Sequence, residues 1–391
     1  MSICFLCCLT YVVHSIFVAL NSCTLSILVL VCFVAIGIQI LYLLFFLWAF
    51  FRKYEVAMQK QNPNPVSVIV CAHDEEQNLK ELIPLLLAQQ HPQFEIVVVA
   101  DRCNDGTYDY LLKATKEHSR LKLVSVTQKP EHINGKKFAL TLGIKAARHE
   151  WLLFTDADCR PDSVHWLARM THGATGQTHM VIGFSPYRKE HGLLNAFIRF
   201  EALLTGIQYI GLALVGRPYM GVGRNLAYTK SLFMAGRGFN NYLGVMGGDD
   251  DLFINLHAKK GNASVCIGQG AITVSIPKNS WSGFLEQKLR HLSAGRHYKS
   301  IDKFIIGLFM TSWMFTWFVV LPVAMVVSAW PLLMAFIVRW VLLCVLFHRA
   351  QQRLGGQFEF LKTPILDFIF PFYYLVTGLR ALVVKQIRWK S

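Results

Sequence analysis

Apolar residues crowd the two ends of this chain, whereas the middle alternates apolar and polar positions. Thr24 to Phe51 carries no charge, and it is longer than the about 20 helical residues that cross a bilayer. Arg52 and Lys53 follow at once. Positive residues beside a span favour the cytosolic side, so the chain after Lys53 is expected to begin in the cytosol. Ile3 to Leu20 is also apolar but lacks the basic start and small-residue cleavage site of a signal peptide. A second span and a surface-lying extension both fit it, within an N-terminal membrane region over 1–53.

At the other end, 304–391 reads as a second membrane region. Phe304 to Ser328 is a span, and Pro331 to Phe347 a shorter one whose Arg339 requires protein or water on its inner face. A basic loop from His348 to Lys362 then leads into apolar Ile365 to Val384. If all three segments cross, the basic tail Lys385 to Lys390 lies outside, against the positive-inside tendency. Because Asp367, Pro371 and Arg380 interrupt the last segment, a re-entrant or interfacial helix is the alternative to a span.

Between these regions, 63–300 predicts strands and helices in alternation. Val66 to Cys71, Glu95 to Ala100, Leu121 to Val126 and Trp151 to Thr155 are β-rich, and helix-like Glu75 to Gln90 and Lys136 to Arg148 lie between them. Continuous apolar strands joined by helices predict a parallel sheet buried on both faces, an α/β fold of Rossmann-like type flanked by transmembrane helices. Leu193 to Val215 is long, apolar and helix-compatible, and it fits either a core helix or one lying in a lipid interface.

Composition supports this division. Over 391 residues, 53% are hydrophobic and 16% charged, which suits one large soluble domain with a few spans. The net charge of +15 calls for an anionic partner, and beside membrane spans this points to lipid headgroups or a phosphorylated substrate rather than nucleic acid. The ten cysteines sit in apolar or scattered positions, as expected for small buried hydrophobes in a reducing compartment.

In open α/β sheets ligands bind beyond the carboxyl ends of the strands, so the polar groups there carry the candidate chemistry. The first strand runs into His73, Asp74, Glu75 and Glu76, the second into Asp101 to Gly106, and the fourth into Asp156, Ala157 and Asp158. Asp156 and Asp158 together can hold a hard divalent cation that leaves positions open for diphosphate oxygens; an acidic surface turn is the plainer reading. Asp249, Asp250 and Asp251 form a second cluster, either a solvated helix cap or the source of a general base. In a third, Gln287, Arg290 and His291 share one helical face suited to a diphosphate or an acceptor, while Lys288, Arg296 and Lys299 read as a positive flank of the next span. Met220 to Tyr228 offers Gly221 and Gly223 for close backbone approach and Arg224 and Asn225 for hydrogen bonds to a sugar, or else a structural turn.

Together these segments, from about Pro65 to Ser300, resemble the membrane-bound family 2 glycosyltransferases of GT-A fold, the group that includes cellulose, hyaluronan and poly-N-acetylglucosamine synthases. Val66 to Glu76 is similar to the family's opening strand with its acidic end, and Asp101 with Asn104 to Thr107 to the segment whose acid contacts the nucleoside base. Asn134, Gly135 and Lys136 resemble the G-K segment beside the nucleotide. Asp156 and Asp158 fall where the metal-binding D-x-D belongs, and Gly248 to Leu252 where the base is supplied.

The resemblance implies a nucleotide-diphosphate-sugar donor bound by Asp74, Glu75, Asp101, Lys136, Asp156, Gln287, Arg290 and His291. It also implies Mg or Mn at Asp156 and Asp158, and inverting transfer to a lipid-linked or glycan acceptor. Aligning G-D-D selects Asp250 as base and aligning E-D-x-D-L selects Asp249; Asp250 is preferred here. Ala100 stands where the family has a first acid, and His291 where processive synthases have tryptophan, which weakens the case for polymerisation. The expected setting is the cytosolic face of a bacterial inner membrane, in cell-envelope synthesis. A transporter or lipid-binding protein with a regulatory nucleotide domain, and a nucleotidyltransferase, are the alternatives.

Overall fold

The computed structural model describes residues 22–52, 63–131, 133–172 and 176–383, so Ile3 to Leu20, Lys53 and the tail from Lys385 lie outside the described residues. The chain divides into two compact units, a smaller one holding 22–48, 300–349 and 359–376, and a larger one built mainly on 63–299. Helix α1 (Ser22–Phe51) opens the described chain.

The larger unit begins with β1 (Val66–Ala72), α2 (Glu76–Leu87), β2 (Phe94–Asp101), α3 (Thr107–Glu117), β3 (Leu121–Val126), α4 (Gly135–Ala146) and β4 (Trp151–Phe154). It continues through β5 (Cys159–Pro161), α5 (Trp166–His172), β6 (Met180–Gly183), α6 (Leu193–Leu214), β7 (Leu226–Thr229) and α7 (Lys230–Ala235). It closes with α8 (Asp251–His257), β8 (Ala263–Cys266), β9 (Thr273–Ser275) and α9 (Trp281–Gly295).

Seven strands of the described residues form one sheet in the order β3-β2-β1-β4-β7-β6-β8. The first four are parallel, β7 runs antiparallel to β4 and β6, and β6 pairs with β8 in parallel. The expected mostly parallel sheet is present, and β7 is the added antiparallel member. Register sets Val66 beside Phe94 and Trp151, so the carboxyl ends of β1, β2 and β4 open on one edge. Every residue of β2 is buried, and β1 is nearly so, which is why both are unbroken apolar runs rather than alternating ones. Helix α2 buries Leu79, Leu82, Ile83 and Leu86, the spacing of a single apolar stripe. Helix α4 lies close to the sheet because Gly143 has no side chain: a Cβ there would come within 2.8 Å of Val99 Cγ2.

Helix α6, the segment that fitted either core or lipid interface, is core in character. Although apolar enough to cross a membrane, 78% of its most apolar window is buried. Tyr209 donates to the Gly183 carbonyl at 2.9 Å, fixing α6 to β6.

The smaller unit comprises most of α1 with α10 (Ser300–Phe315), α11 (Leu321–Val326), most of α12 (Trp330–Leu354) and α13 (Thr363–Val383). Thr24–Phe51, Ser300–Val326 and Trp330–Leu354 are each long and apolar enough to cross a membrane, and at most 39% of their apolar windows is buried. A π turn over Thr316–Val320 links α10 to α11 just ahead of Pro322, whose missing N–H and bulky ring prevent regular helical bonding there.

One expectation is corrected. The first seven residues of the expected basic loop, His348 to Leu354, are helical, because α12 continues to Leu354 with Ala350 and Leu354 buried. Helix α13 is continuous through Pro371, and its Asp367 forms a fully buried ion pair with Arg339.

Candidate active site

The acids after β1 and β2 first serve to hold their own loops. Asp74, in left-handed backbone at φ 56°, accepts the Asn104 and Asp105 amides at 2.7 and 3.3 Å. Asp105 accepts the Glu76 and Thr107 amides in return. Glu75 accepts from Asn78 Nδ2 at 2.6 Å, while its own amide donates to Thr107 Oγ1. Asp101 is buried, and Arg102 clamps both carboxylate oxygens at 2.8 and 2.9 Å. Gly135 is required beside this pair, since a Cβ there would lie 2.6 Å from Arg102 Nη2.

Asp156 and Asp158 leave the end of β4 one residue apart. Burial, and then Asp156, raise the pKa of Asp158; Arg224 and Lys278 oppose this, and Glu75 adds to it. Lys136, in the first turn of α4, reaches across to Asp156 Oδ1 and Asp249 Oδ2, each at 3.1 Å. Burial works against its charge, but Asp156, Asp249 and Asp250 outweigh burial and hold its pKa above the usual lysine value. Lys136, Asp156, Asp249, Asp250 and Tyr228 line one small recess.

The loop carrying the triple aspartate is anchored from α4. Lys137 is fully buried and donates to the Tyr242 and Val245 carbonyls at 2.6 Å each; burial lowers its pKa to about 8. Gly247 and Gly248 then turn the chain with φ of 74° and 79°, a region that favours glycine. Asp249 is buried against Lys136. Asp250 is more open, and its two oxygens accept the Gly223 amide at 2.6 Å and the Asp251 amide at 2.7 Å. Burial, and then Asp249, raise its pKa to about 6. Asp251 is buried beneath Tyr298, whose hydroxyl donates to it at 2.7 Å; burial and then Asp250 push it up to about 8.

Helix α9 forms another wall. Gln287 donates to the Tyr187 hydroxyl at 3.3 Å, and the neighbouring Lys288 is paired with Glu201 of α6. The Arg290 backbone carbonyl lies against Gly247, and Ser293 donates to the Met246 carbonyl at 3.1 Å, so α9 buttresses the acidic loop. His291 is exposed on α9, as are Trp281 and Glu286.

Arg224 stacks on Tyr187 at 4.5 Å. Asn225, open between a sugar contact and a structural turn, points inward. Its amide nitrogen donates to the Phe184 and Ala271 carbonyls at 2.8 Å each, and its oxygen accepts from Trp166 Nε1 at 3.0 Å. Tyr187, Lys137 and Tyr298 were not singled out from sequence, since only long-range contacts give them their places.

Asp156, Lys136, Asp249 and Asp250 are therefore brought together at one recess. Asp74 and Asp101 lie at neighbouring strand ends, and Gln287, Arg290 and His291 lie along α9. Asp156 and Asp158 suit a divalent cation: they are hard oxygen donors, their mutual repulsion would be relieved by positive charge, and two carboxylates leave room for phosphate oxygens. Among the described residues, one group of three potential ligand-bearing side chains, Asp74, Cys103 and Asp105, gathers within 4.8 Å, but its aspartates already accept loop amides.

Residues 67–231 match the family described as Glycosyl transferase family 2. The probable glycosyltransferase YdaM of Bacillus subtilis (strain 168) is 24% identical over 230 residues, covering 55% of this chain and 52% of that protein. Poly-beta-1,6-N-acetyl-D-glucosamine synthase of Staphylococcus epidermidis is 28% identical over 109 residues, covering 28% of this chain and 25% of that protein. Dolichyl-phosphate beta-glucosyltransferase of Drosophila melanogaster is 36% identical over 101 residues, covering 24% and 30%. The chain thus spans about half or less of the length of these relatives. Among solved structures, the mannosyltransferase PcManGT from Pyrobaculum calidifontis, in complex with GDP-Man and Mn2+, has a TM-score of 0.60 at 18% identity, covering 93% of this chain and 100% of that one. This likeness is one of fold.

Proposed function

We propose that this chain, which carries a family 2 glycosyltransferase domain, transfers a sugar from a nucleotide-diphosphate donor to a hydroxyl of a lipid-linked or glycan acceptor at the cytosolic face of a bacterial inner membrane. The observation that carries the reading is the meeting of Asp156, Lys136, Asp249 and Asp250 at one recess beyond the strand ends. The names of the relatives and the GDP-Man and Mn2+ held by PcManGT support the donor class. The apolar helices of the smaller unit support membrane attachment.

Asp250 is the base. Two backbone N–H groups orient its carboxylate, and its raised pKa makes it a stronger proton acceptor than an ordinary aspartate while leaving it ionised at neutral pH. Asp249 is spent on Lys136 and Asp251 on Tyr298, which supports Asp250 over either neighbour. Bound at Asp156 and Asp158, Mg or Mn would supply charge neutralisation of the departing diphosphate. Arg290 and Lys136 add positive charge on the same side, with Gln287 and His291 beside them. Asp101, with Asp74 and Glu75, forms the wall for the nucleoside base. Deprotonation by Asp250 and direct attack invert the sugar carbon.

The test is turnover of purified protein with a panel of sugar nucleotides, following nucleoside diphosphate release. Asp250→Asn should lower it by about 10²–10⁴-fold, the usual contribution of a general base, with Mn2+-dependent nucleotide binding retained. Undiminished turnover removes Asp250 from this role, and release of pyrophosphate instead of nucleoside diphosphate overturns the reaction class.

A further inference from the structure

Lys136 already occupies Asp156, one of the two acids on which the donor's cation is expected. Its Nζ lies 3.1 Å from Asp156 Oδ1 and 3.1 Å from Asp249 Oδ2. Both separations exceed the about 2.7–2.9 Å usual for a charge-assisted bond, so one ammonium is shared between two carboxylates and saturates neither. Its backbone is fixed in the first turn of α4, where Asn134 caps the helix through the Lys137 amide. Its side chain is a compact charge on a flexible four-carbon stem, well suited to changing partners. Lys136 stands in the first turn of α4, and a helix N-terminus favours phosphate oxygens, so a diphosphate is the other partner.

We propose that Lys136 is the resident counter-ion of the metal-binding Asp156: it bridges Asp156 and Asp249 in the donor-free enzyme, releases Asp156 when a divalent cation binds, and turns to the donor diphosphate. This rests on the donor-metal reading above. Two consequences separate it from a lysine that only holds phosphate. The metal alone binds weakly, because an ammonium must be displaced from Asp156. Metal and nucleoside diphosphate bind cooperatively, because the ammonium displaced from Asp156 regains a second anionic partner only when the diphosphate is present.

Mn2+ binding to the purified full chain, read from loss of the free-ion electron paramagnetic resonance signal, tests the exchange. Without nucleotide, Lys136→Met should bind Mn2+ about ten-fold more tightly than wild type, and its further gain on adding UDP or GDP should shrink correspondingly. Lys136→Arg keeps a cation at the acids and should bind Mn2+ no tighter than wild type. Lys278→Gln removes another charge that reaches Asp158 and should give a clearly smaller gain, set by long-range electrostatics. If Lys136→Met, folded by circular dichroism, binds Mn2+ equally, more weakly, or with no greater gain than Lys278→Gln, the exchange is wrong and the metal reading stands. If wild type binds no Mn2+ even with UDP and with GDP, the metal reading falls and the exchange falls with it.

Discussion

Removing one partner of the Arg339–Asp367 pair should damage the smaller unit far more than removing both. The guanidinium meets Asp367 through two bonds of 2.6 and 2.9 Å, and both side chains are wholly buried. Trp340 Nε1 donates to the same carboxylate at 3.0 Å, and Gln39 joins the group through its oxygen at 3.4 Å from Arg339 Nε. Gln39 in turn donates to the Phe309 carbonyl and to Ser312 Oγ at 2.9 Å each, so the network reaches α1, α10, α12 and α13. Arg339→Leu or Asp367→Leu alone leaves a buried charge without its counter-charge, which costs about 3–5 kcal/mol. At about 1.4 kcal/mol per decade, this is a loss of roughly 10²–10³-fold in the folding equilibrium. The double variant Arg339→Leu/Asp367→Leu leaves no such charge and replaces the pair by apolar packing, often a nearly neutral exchange. Unfolding of the purified protein in mixed micelles by a denaturing detergent, followed by tryptophan fluorescence, measures all three. Single variants as stable as wild type, or a double variant no more stable than either single, would refute the view that a buried neutral pair holds these helices together.

Two further expectations concern the larger unit. The base must be deprotonated to act and Asp250 titrates near 6, so kcat/KM should be level above that value and fall about ten-fold per pH unit below it. Asp249→Asn removes a repelling charge and should move this limb to lower pH, whereas a wild-type limb in the ordinary aspartate range near 4 would contradict the assignment. Asn225→Ala leaves the Trp166 N–H and two carbonyls without their partner inside the core, at about 1–3 kcal/mol for each group left unsatisfied. Its melting temperature should therefore fall while KM for the donor holds; an unchanged melting temperature with a raised KM would return Asn225 to a sugar-binding role.

Strands β1, β2 and β4 were legible in the sequence because both faces of that part of the sheet are covered, so each is a nearly continuous apolar run followed by acids. The antiparallel β7 was not, since its place between β4 and β6 depends on pairing with residues well away in sequence. Asn225 stayed open between a sugar contact and a structural turn for a related reason: its partners Trp166, Phe184 and Ala271 are 41 to 59 residues away. The charges of 348–354 suggested a loop, yet helix α12 continues through them. Arg353 donates to the Phe50 carbonyl at 2.9 Å, and Ala350 and Leu354 are buried. Local composition carried the strands and their terminal acids, while distant partners decided which polar groups face inward.

The triple aspartate is the sharpest case. Two alignments of the same letters select different residues, because three adjacent and chemically identical side chains carry no local mark of their roles. Their surroundings separate them: Asp249 faces an ammonium, Asp250 two backbone amides, and Asp251 a tyrosine hydroxyl. Each partner has a different consequence. The ammonium neutralises Asp249, and the hydroxyl holds Asp251 within the core. Backbone amides cannot leave with a proton, so Asp250 remains both oriented and free to accept one. The left-handed Gly247 and Gly248 begin this sorting, and Lys137 fixes the loop from which they turn. Proton acceptance by Asp250 is thus argued from the three residues' unequal partners, a distinction that exists only after the chain has folded.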